Sequence, residues 1–129
     1  MASKKLPPAK NWRELDINDW NAITFNEYLK YMHLKTYGTK YSVKNMGMHN
    51  GLVKRVYQKH GKQATKRFIE LCFHRFKPRN GHKGANFIYF YTYLKKYMED
   101  AEKEIEKKNR MIENEKVTYE QIQNVIDMF

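Results

Sequence analysis

Apolar residues recur at three- and four-residue spacing through most of this chain, and this periodicity is the feature that most restricts its fold. The apolar positions of segment 62–76 lie mostly on one face of a helix: Ala64, Phe68, Ile69, Cys72, Phe73 and Phe76. Gly61 precedes the segment, and a cluster that contains Pro78 and Gly81 follows it. A helical period bounded by such breaking residues predicts an all-α chain.

The same reasoning places the helix ends. Thr24 with Glu27, and Thr118 with Gln121, have the spacing of a capping box, and Asn86 is a candidate N-cap. The aromatic stretch FIYFYTYL would suit a strand in isolation, but the wider apolar spacing favours a helix. The predicted helices cover residues 24–38, 48–60, 62–76, 86–114 and 118–129.

A chain of 129 residues is expected to form one domain. We predict a compact bundle of four to six helices with a helix-turn-helix-like pair and a charged C-terminal helical extension. The expected parts are a flexible basic arm at 1–10, a helical nucleic-acid-binding core at 11–98, and a charged helix with a short terminal helix at 99–129.

Positive charge is concentrated in the middle of the chain. Residues 30–84 contain fourteen Lys and Arg, all five histidines and one acid, Glu70, whereas the flanking segments sum to zero and −2 within a net charge of +11. A focused positive field favours a polyanion, because phosphates that are neutralised release their counterions. The sequence therefore indicates a nucleic acid as the partner class, with DNA favoured over RNA.

Two short amphipathic helices flank Gly61 and resemble a helix-turn-helix unit. In that arrangement Lys62, Gln63, Lys66 and Arg67 point outward from the second helix, toward phosphates or base edges. The pair departs from the usual pattern at Lys62 and Arg67, where aliphatic residues are normal. The alternative interpretation is a helical hairpin with a solvated basic face.

A second candidate site is the basic loop at 77–84. Its glycines would let a nucleic-acid backbone approach closely, unless the loop is only a polar connection. The complete set of predicted nucleic-acid-binding residues is Lys54, Arg55, Lys62, Gln63, Lys66, Arg67, Arg75, Lys77, Arg79, Asn80, His82 and Lys83. Tyr89 and Tyr93, four residues apart, are candidate stacking platforms for single strands.

The sequence offers little for catalysis or metal binding. Successive histidines are 16, 11, 14 and 8 residues apart, which matches no common ligand spacing, and the single Cys72 cannot form a thiolate cluster. One carboxylate, Glu70, is too few for a magnesium-dependent nuclease within the basic segment. We therefore predict no enzyme activity, no catalytic residue, no metal and no cofactor.

The expected location is inside the cell. The chain has no run of about 18 apolar residues and no secretory h-region at its start, and one cysteine fits a reducing compartment. We expect a cytoplasmic protein, in the host-cell cytoplasm if the protein is viral, with no membrane partner.

Apolar residues in the C-terminal third have the spacing of a heptad seam interrupted by Lys108. The predicted partner or homodimer interface contains Leu94, Met98, Ala101, Ile105 and Ile112. The alternative is that the terminal helix 118–129 packs on this seam within one chain.

The run KYSVKNMGMHNGLVKRVYQKHGKQATKRFIELCF, residues 40–73, resembles those of small phage-encoded proteins that act on DNA in replication or transcription. The resemblance implies a helical, non-enzymatic, DNA-associated protein, with a replication protein as a partner. We expect a DNA-binding regulator or replication accessory factor. Two other classes stay open: a protein-interaction module, such as a viral factor that binds an acidic host protein, and an RNA-binding protein.

Overall fold

Helices account for all the regular secondary structure in the described part of the chain. The structure is a computed structural model that describes residues 8–78 and 84–127. Two short 3-10 segments, Ala9–Glu14 and Ile17–Asp19, come first. Five α-helices follow within the described residues: α1 (Ala22–Tyr37), α2 (Met46–His60), α3 (Lys62–Arg75), α4 (Phe87–Tyr93) and α5 (Lys96–Asp127). The predicted all-α fold is confirmed, and most of the predicted arm at 1–10 lies outside the described residues.

Helix α1 begins two residues earlier than its sequence predicts. Asn21 is the N-cap, and its side-chain oxygen accepts hydrogen bonds from the backbone N–H groups of Ile23 and Thr24. The Thr24 hydroxyl in turn accepts from the Asn21 N–H, which completes a capping box. The prediction that Thr24 caps the helix with Glu27 is therefore wrong, because Thr24 occupies the third helical position. The predicted stop at Gly38 is confirmed by its left-handed backbone, with φ 71°.

Gly61 separates α2 from α3, as the sequence predicts. It follows the last residue of α2 and precedes the first of α3, with φ 91°. The N-terminus of α2 lies two residues before its predicted position, because Asn45 caps it by accepting the Met48 N–H. Helix α3 ends at Arg75, one residue before the prediction.

The prediction of a single helix over 86–114 is wrong, although Asn86 does cap α4 by accepting the Tyr89 N–H. Helix α4 ends at Tyr93, and α5 then starts at Lys96 without a glycine or proline at the break. Helix α4 packs on α2 and α3, whereas α5 packs on α3, so the break separates two segments with different packing partners.

The prediction of a separate terminal helix at 118–129 is also wrong, because α5 runs without interruption from Lys96 to Asp127. Thr118 lies in the interior of this helix, where its hydroxyl donates to the Asn114 carbonyl one turn earlier. No glycine or proline occurs between these helix ends, so nothing in the sequence stops the helix at 114.

Aromatic side chains fill the core around α3. Phe68 meets two stacked rings of α4 edge-on, with its ring centroid 6.1 Å from Phe87 and 6.2 Å from Tyr91. At the other end of α3, the Phe73 ring meets Phe90 edge-on at 5.0 Å. The residues Phe25, Leu29, Val53, Phe68, Ile69, Cys72, Phe87, Phe90 and Ala101 are fully buried. Because α3 contributes so much of this core, it is the central helix of the bundle.

A buried hydrogen-bond chain joins the loop before α2 to α2 and α4. The Tyr41 hydroxyl accepts the Phe87 backbone N–H at 2.8 Å and donates to His49 Nε2, 2.7 Å away. The other ring nitrogen of His49, Nδ1, donates to the Asn50 side-chain oxygen at 2.9 Å. One phenol thus links the loop and α2 to α4, which is distant in sequence, and each of its buried partners is satisfied.

Helix α5 extends beyond the bundle. Its first turns are buried at Met98 and Ala101, but every residue from 106 to 127 is exposed. Its 32 residues carry many charges. Among the described helices, none combines the length and the apolar character that crossing a membrane requires.

Candidate nucleic-acid interface

Helix α3 does not present the free face that a recognition helix needs. Of its residues only Gln63, His74 and Arg75 are exposed, and α5 packs along it. The predicted turn at Gly61 is confirmed, whereas the recognition role of α3 stays a prediction that its covered face does not favour. The physical reason is that α3 is central, so its polar side chains are partly covered by α5 and by the N-terminal segment.

The arginines of α3 are paired with acids of α5. Arg67 Nε donates to a carboxylate oxygen of Glu104, and Arg67 Nη1 lies 3.4 Å from Glu70. Arg75 Nη1 donates to Asp100 Oδ2 at 2.6 Å. Both arginines were predicted phosphate contacts. They are engaged within the chain instead, because the acidic helix that follows the basic segment folds back onto it.

The two lysines of α3 also have partners within the chain. Lys62 Nζ donates to the Asn18 backbone carbonyl at 2.7 Å. Lys66 Nζ lies over the rings of Trp20 and Tyr28, 5.4 and 5.5 Å from their centroids. Gln63 is exposed and lines a cleft of about 400 Å³ between α3 and α5, which Arg67, Glu104 and Lys108 also line. This group is a mixed-charge surface, not a cationic one.

The outer face of α2 is different. Lys54, Arg55 and Lys59 are exposed there, and none has an acidic partner among the described residues. Lys40 and Lys44 are exposed in the loop that leads into the helix. We call these five residues the α2 cationic face.

Sequence reasoning identified only two members of the α2 cationic face, Lys54 and Arg55. It missed Lys40, Lys44 and Lys59, although all three lie in the basic segment. Lys59 follows Arg55 by four residues, which places the two on neighbouring turns of one helix face. That spacing was the signal that could have found it.

Glycines lie on the same face of α2. Gly47 and Gly51 are exposed and four residues apart. A Cβ added at Gly51 would meet no atom within 4 Å, and one at Gly47 would meet only the Asn45 side chain at 3.5 Å. Packing inside the chain therefore does not require either glycine, and Gly51, in the helix interior, weakens the helix by about 1 kcal/mol relative to alanine.

Only part of the predicted loop site falls within the described residues. Lys77 is exposed at the end of α3, whereas the predicted contacts Arg79, Asn80, His82 and Lys83 lie outside the described residues. Gly84 has φ 151°, and a Cβ there would overlap the His33 imidazole. The glycine is thus required by contact with α1.

The two candidate stacking tyrosines are on the surface. Tyr89 and Tyr93 are 38% and 68% exposed, and their ring centroids lie 4.8 Å apart. Each ring therefore already covers part of the other. Tyr91 is half-buried and its hydroxyl lies 3.2 Å from His60 Nε2.

The titratable side chains that invite a catalytic interpretation have structural roles here. Burial lowers the pKa of His49, which keeps the imidazole neutral, and its bond to Asn50 opposes this only in part. Burial also raises the pKa of the Cys72 thiol, so it stays protonated. His60 Nδ1 contacts Glu102 at 2.6 Å. Within residues 8–78 and 84–127, no three His, Cys, Asp or Glu side chains are grouped so that they could hold a metal ion.

The predicted dimer seam is mostly used within the chain. Met98 and Ala101 are buried, at 1% and 0% exposure, and Leu94 and Ile105 pack against the core. Only Ile112, 44% exposed, lies beyond the bundle. The prediction that these five residues form one intermolecular interface is wrong, because the first four pack in or against the core of the chain.

Comparison of the chain with protein-family models, with curated proteins and with solved structures found no match.

Proposed function

We propose that this protein binds nucleic acid, with DNA favoured over RNA, through the α2 cationic face. The observation that carries the proposal is the separation of paired from unpaired cations. The α3 arginines are neutralised by α5, whereas Lys40, Lys44, Lys54, Arg55 and Lys59 are exposed without acidic partners in the described chain. Exposed, uncompensated cations within one short segment of the chain raise the local concentration of a polyanion and bind its phosphates.

The glycines of α2 support the same proposal. A side chain at Gly47 or Gly51 would stand between the helix backbone and any approaching strand, but these positions are open. A phosphate backbone can then lie close to the helix while Lys54 and Arg55 contact it from either side. Gly51, a destabilising residue that the fold does not need, is explained if a ligand needs the space.

The proposed role is non-catalytic. The cationic face contains no carboxylate and no histidine that could act as an acid or base on a phosphodiester. A regulator of DNA or an accessory factor in replication, acting inside the cell, is the role that such a face suits. Five phosphate contacts predict a log–log salt slope of about −4.5.

Fluorescence anisotropy tests the proposal with the full chain. Duplex DNA, single-stranded DNA and RNA of equal length would be titrated at two salt concentrations between about 50 and 200 mM. We expect duplex DNA to bind most tightly, and Lys54→Ala with Arg55→Ala to weaken binding at least tenfold. The matched control is Lys103→Ala with Lys107→Ala, which removes two exposed charges from α5 and is expected to change affinity less than twofold.

Three outcomes separate the alternatives. Tightest binding to RNA would replace DNA with RNA as the ligand. Equal losses for the α2 and α5 variants would contradict the assignment to α2. No salt-sensitive binding to any of the three would reject a nucleic-acid partner, and the cationic face would then be tested against acidic proteins.

A further inference from the structure

An apolar stripe runs along the part of α5 that no other described element covers. Every residue from 106 to 127 is exposed. The stripe contains Met111, Ile112, Tyr119, Ile122, Val125 and Ile126, and each side chain is between 44% and 75% exposed. A contiguous apolar surface of this kind marks an interaction site.

The stripe has heptad spacing. Ile112, Tyr119 and Ile126 are seven residues apart and occupy one core position of a coiled coil, a. The other core position, d, holds Lys108, Glu115 and Ile122. Met111, Thr118 and Val125 flank the seam at position g, while Asn109, Lys116 and Gln123 flank it at position e. The seam is therefore apolar with two charged interruptions, and its two flanks differ.

We propose that two copies of this chain pair through residues 108–126 of α5 as an antiparallel coiled coil. Full overlap of this segment places Ile112 of one copy against Ile122 of the other. It also places Glu115 against Tyr119, and Lys108 against Ile126 at each end. This inference does not depend on the proposed binding of nucleic acid.

The two charged core positions favour the antiparallel orientation. A parallel pair in register would stack Lys108 on Lys108 and Glu115 on Glu115, and each contact would desolvate two like charges. In the antiparallel pair, Lys108 lies at the end of the overlap, where its ammonium group reaches water. Glu115 lies beside a tyrosine whose hydroxyl is a hydrogen-bond donor.

The flanks of the seam favour the same orientation. In an antiparallel pair each flank faces its own kind, so Met111 meets Val125 and the two copies of Thr118 meet at the centre. In a parallel pair the g flank faces the e flank, and Met111 would face Lys116. The antiparallel pair thus buries the apolar flank as well as the seam.

The available area suits a second copy of this chain. Six side chains that each expose on the order of 100 Å² would give a dimer about 1,200 Å² of buried surface, at the lower end of the range for specific interfaces. The stripe is also self-complementary in the antiparallel register, because Ile112 and Ile122 lie at equal distances from opposite ends of segment 108–126. The expected product is a concentration-dependent dimer.

Sedimentation equilibrium of the full chain tests the dimer. The matched pair of variants is Ile122→Lys on the seam and Val117→Lys on the opposite face, at residues that are 52% and 43% exposed. We expect a dimer at concentrations of tens of micromolar, a dissociation constant raised at least tenfold by Ile122→Lys, and no more than a twofold change with Val117→Lys. Circular dichroism would confirm that both variants keep their helices.

Spin-label distances test the orientation. Cys72 is fully buried, so a cysteine introduced as Lys107→Cys on the outer side of α5 is the site that labels. The antiparallel register separates the two labels by about 30 Å along the axis, at 1.5 Å per residue, whereas a parallel pair keeps them side by side. A wild-type monomer at about 100 micromolar, an equal effect of both lysine variants, or a short label distance would each overturn the proposal.

Discussion

Arg75 of α3 and Asp100 of α5 form an ion pair, with Nη1 2.6 Å from Oδ2. One helix turn farther along α5 lies Glu104, which pairs with Arg67. Helix α5 thus presents acids at successive turns to the arginines of the central helix. This arrangement pairs the arginines of α3 within the chain, whereas Lys54, Arg55 and Lys59 of α2 have no acidic partner among the described residues.

Substitution by glutamine is expected to have different effects at Arg55 and Arg67: one change lowers DNA affinity and the other lowers stability. Arg67→Gln removes a charge that is already paired with Glu104 and Glu70. We therefore expect this variant to be less stable and its DNA affinity to change by less than twofold. The loss of stability should be at most about 1 kcal/mol, because both partners are partly exposed to solvent. Arg55→Gln should leave stability unchanged and weaken DNA binding several-fold. Urea unfolding and anisotropy measure the two effects.

A larger loss of affinity from Arg67→Gln than from Arg55→Gln would contradict this assignment. It would mean that α5 releases α3 when the ligand binds.

Alanine substitutions at Gly51 and Gly84 are expected to have opposite effects on stability. Gly51→Ala adds a methyl group in open space on an exposed helix, so stability should rise by about 0.5–1 kcal/mol. Gly84→Ala places a Cβ into the His33 ring at φ 151°, so stability should fall by at least about 1 kcal/mol. Thermal unfolding measures both changes.

The Gly51→Ala variant has a second use. If a strand approaches α2 closely, the added methyl group should weaken DNA binding although the fold is more stable. Unchanged affinity would remove the glycines from the proposed interface while leaving the cations in it.

Tyr41→Phe is expected to destabilise the fold by about 1–3 kcal/mol. The hydroxyl accepts the buried Phe87 N–H and donates to His49, so its loss leaves two buried polar groups without partners. Tyr93→Phe is the control, because this tyrosine is 68% exposed, and its stability should change by less than about 0.5 kcal/mol. Equal effects in urea unfolding would show that the hydrogen-bond chain contributes nothing.

Stability is expected to fall as the pH is lowered from about 6.5 to 5. Burial lowers the pKa of His49 in the folded protein, whereas an unfolded histidine titrates near pH 6.5. The unfolded chain then binds the extra proton below that pH, so the contribution of neutral His49 is complete above pH 6.5 and declines below it. The decline is at most about 1.4 kcal/mol per pH unit for one proton.

The matched variants for this effect are His49→Gln and His74→Gln. His49→Gln should flatten the stability curve between pH 6.5 and 5, whereas substitution of exposed His74 should leave its shape unchanged. A wild-type curve that is already flat over this interval would show that His49 is not held neutral.

Local signals predicted the helices well where the chain marks its own breaks. Gly38, Gly61 and Asn86 end or begin helices through backbone geometry and capping that the neighbouring residues alone determine. Residues 94 and 95 carry no such signal, and the break between α4 and α5 depends on different packing partners. The missed start of α1 has another cause, since Asn21 and Thr24 both suit an N-cap.

The candidate site was predicted less well because it depends on contacts between distant residues. The pairing of Arg67 with Glu104 spans 37 positions, and local sequence around Arg67 does not predict it. Charge counting located the basic segment correctly, but only the packing of α5 on α3 shows which cations stay free. Exposure then distinguishes Lys59 and Lys44 from Lys62 and Lys66.

The proposal for α2 is tested most directly by lysine acetylation with and without saturating duplex DNA, read by mass spectrometry at each lysine. We predict that DNA protects Lys40, Lys44, Lys54 and Lys59 and leaves the rates at Lys103 and Lys107 unchanged. Bound DNA that protects α5 lysines, or that leaves the α2 lysines as reactive as in the free protein, would contradict the assignment.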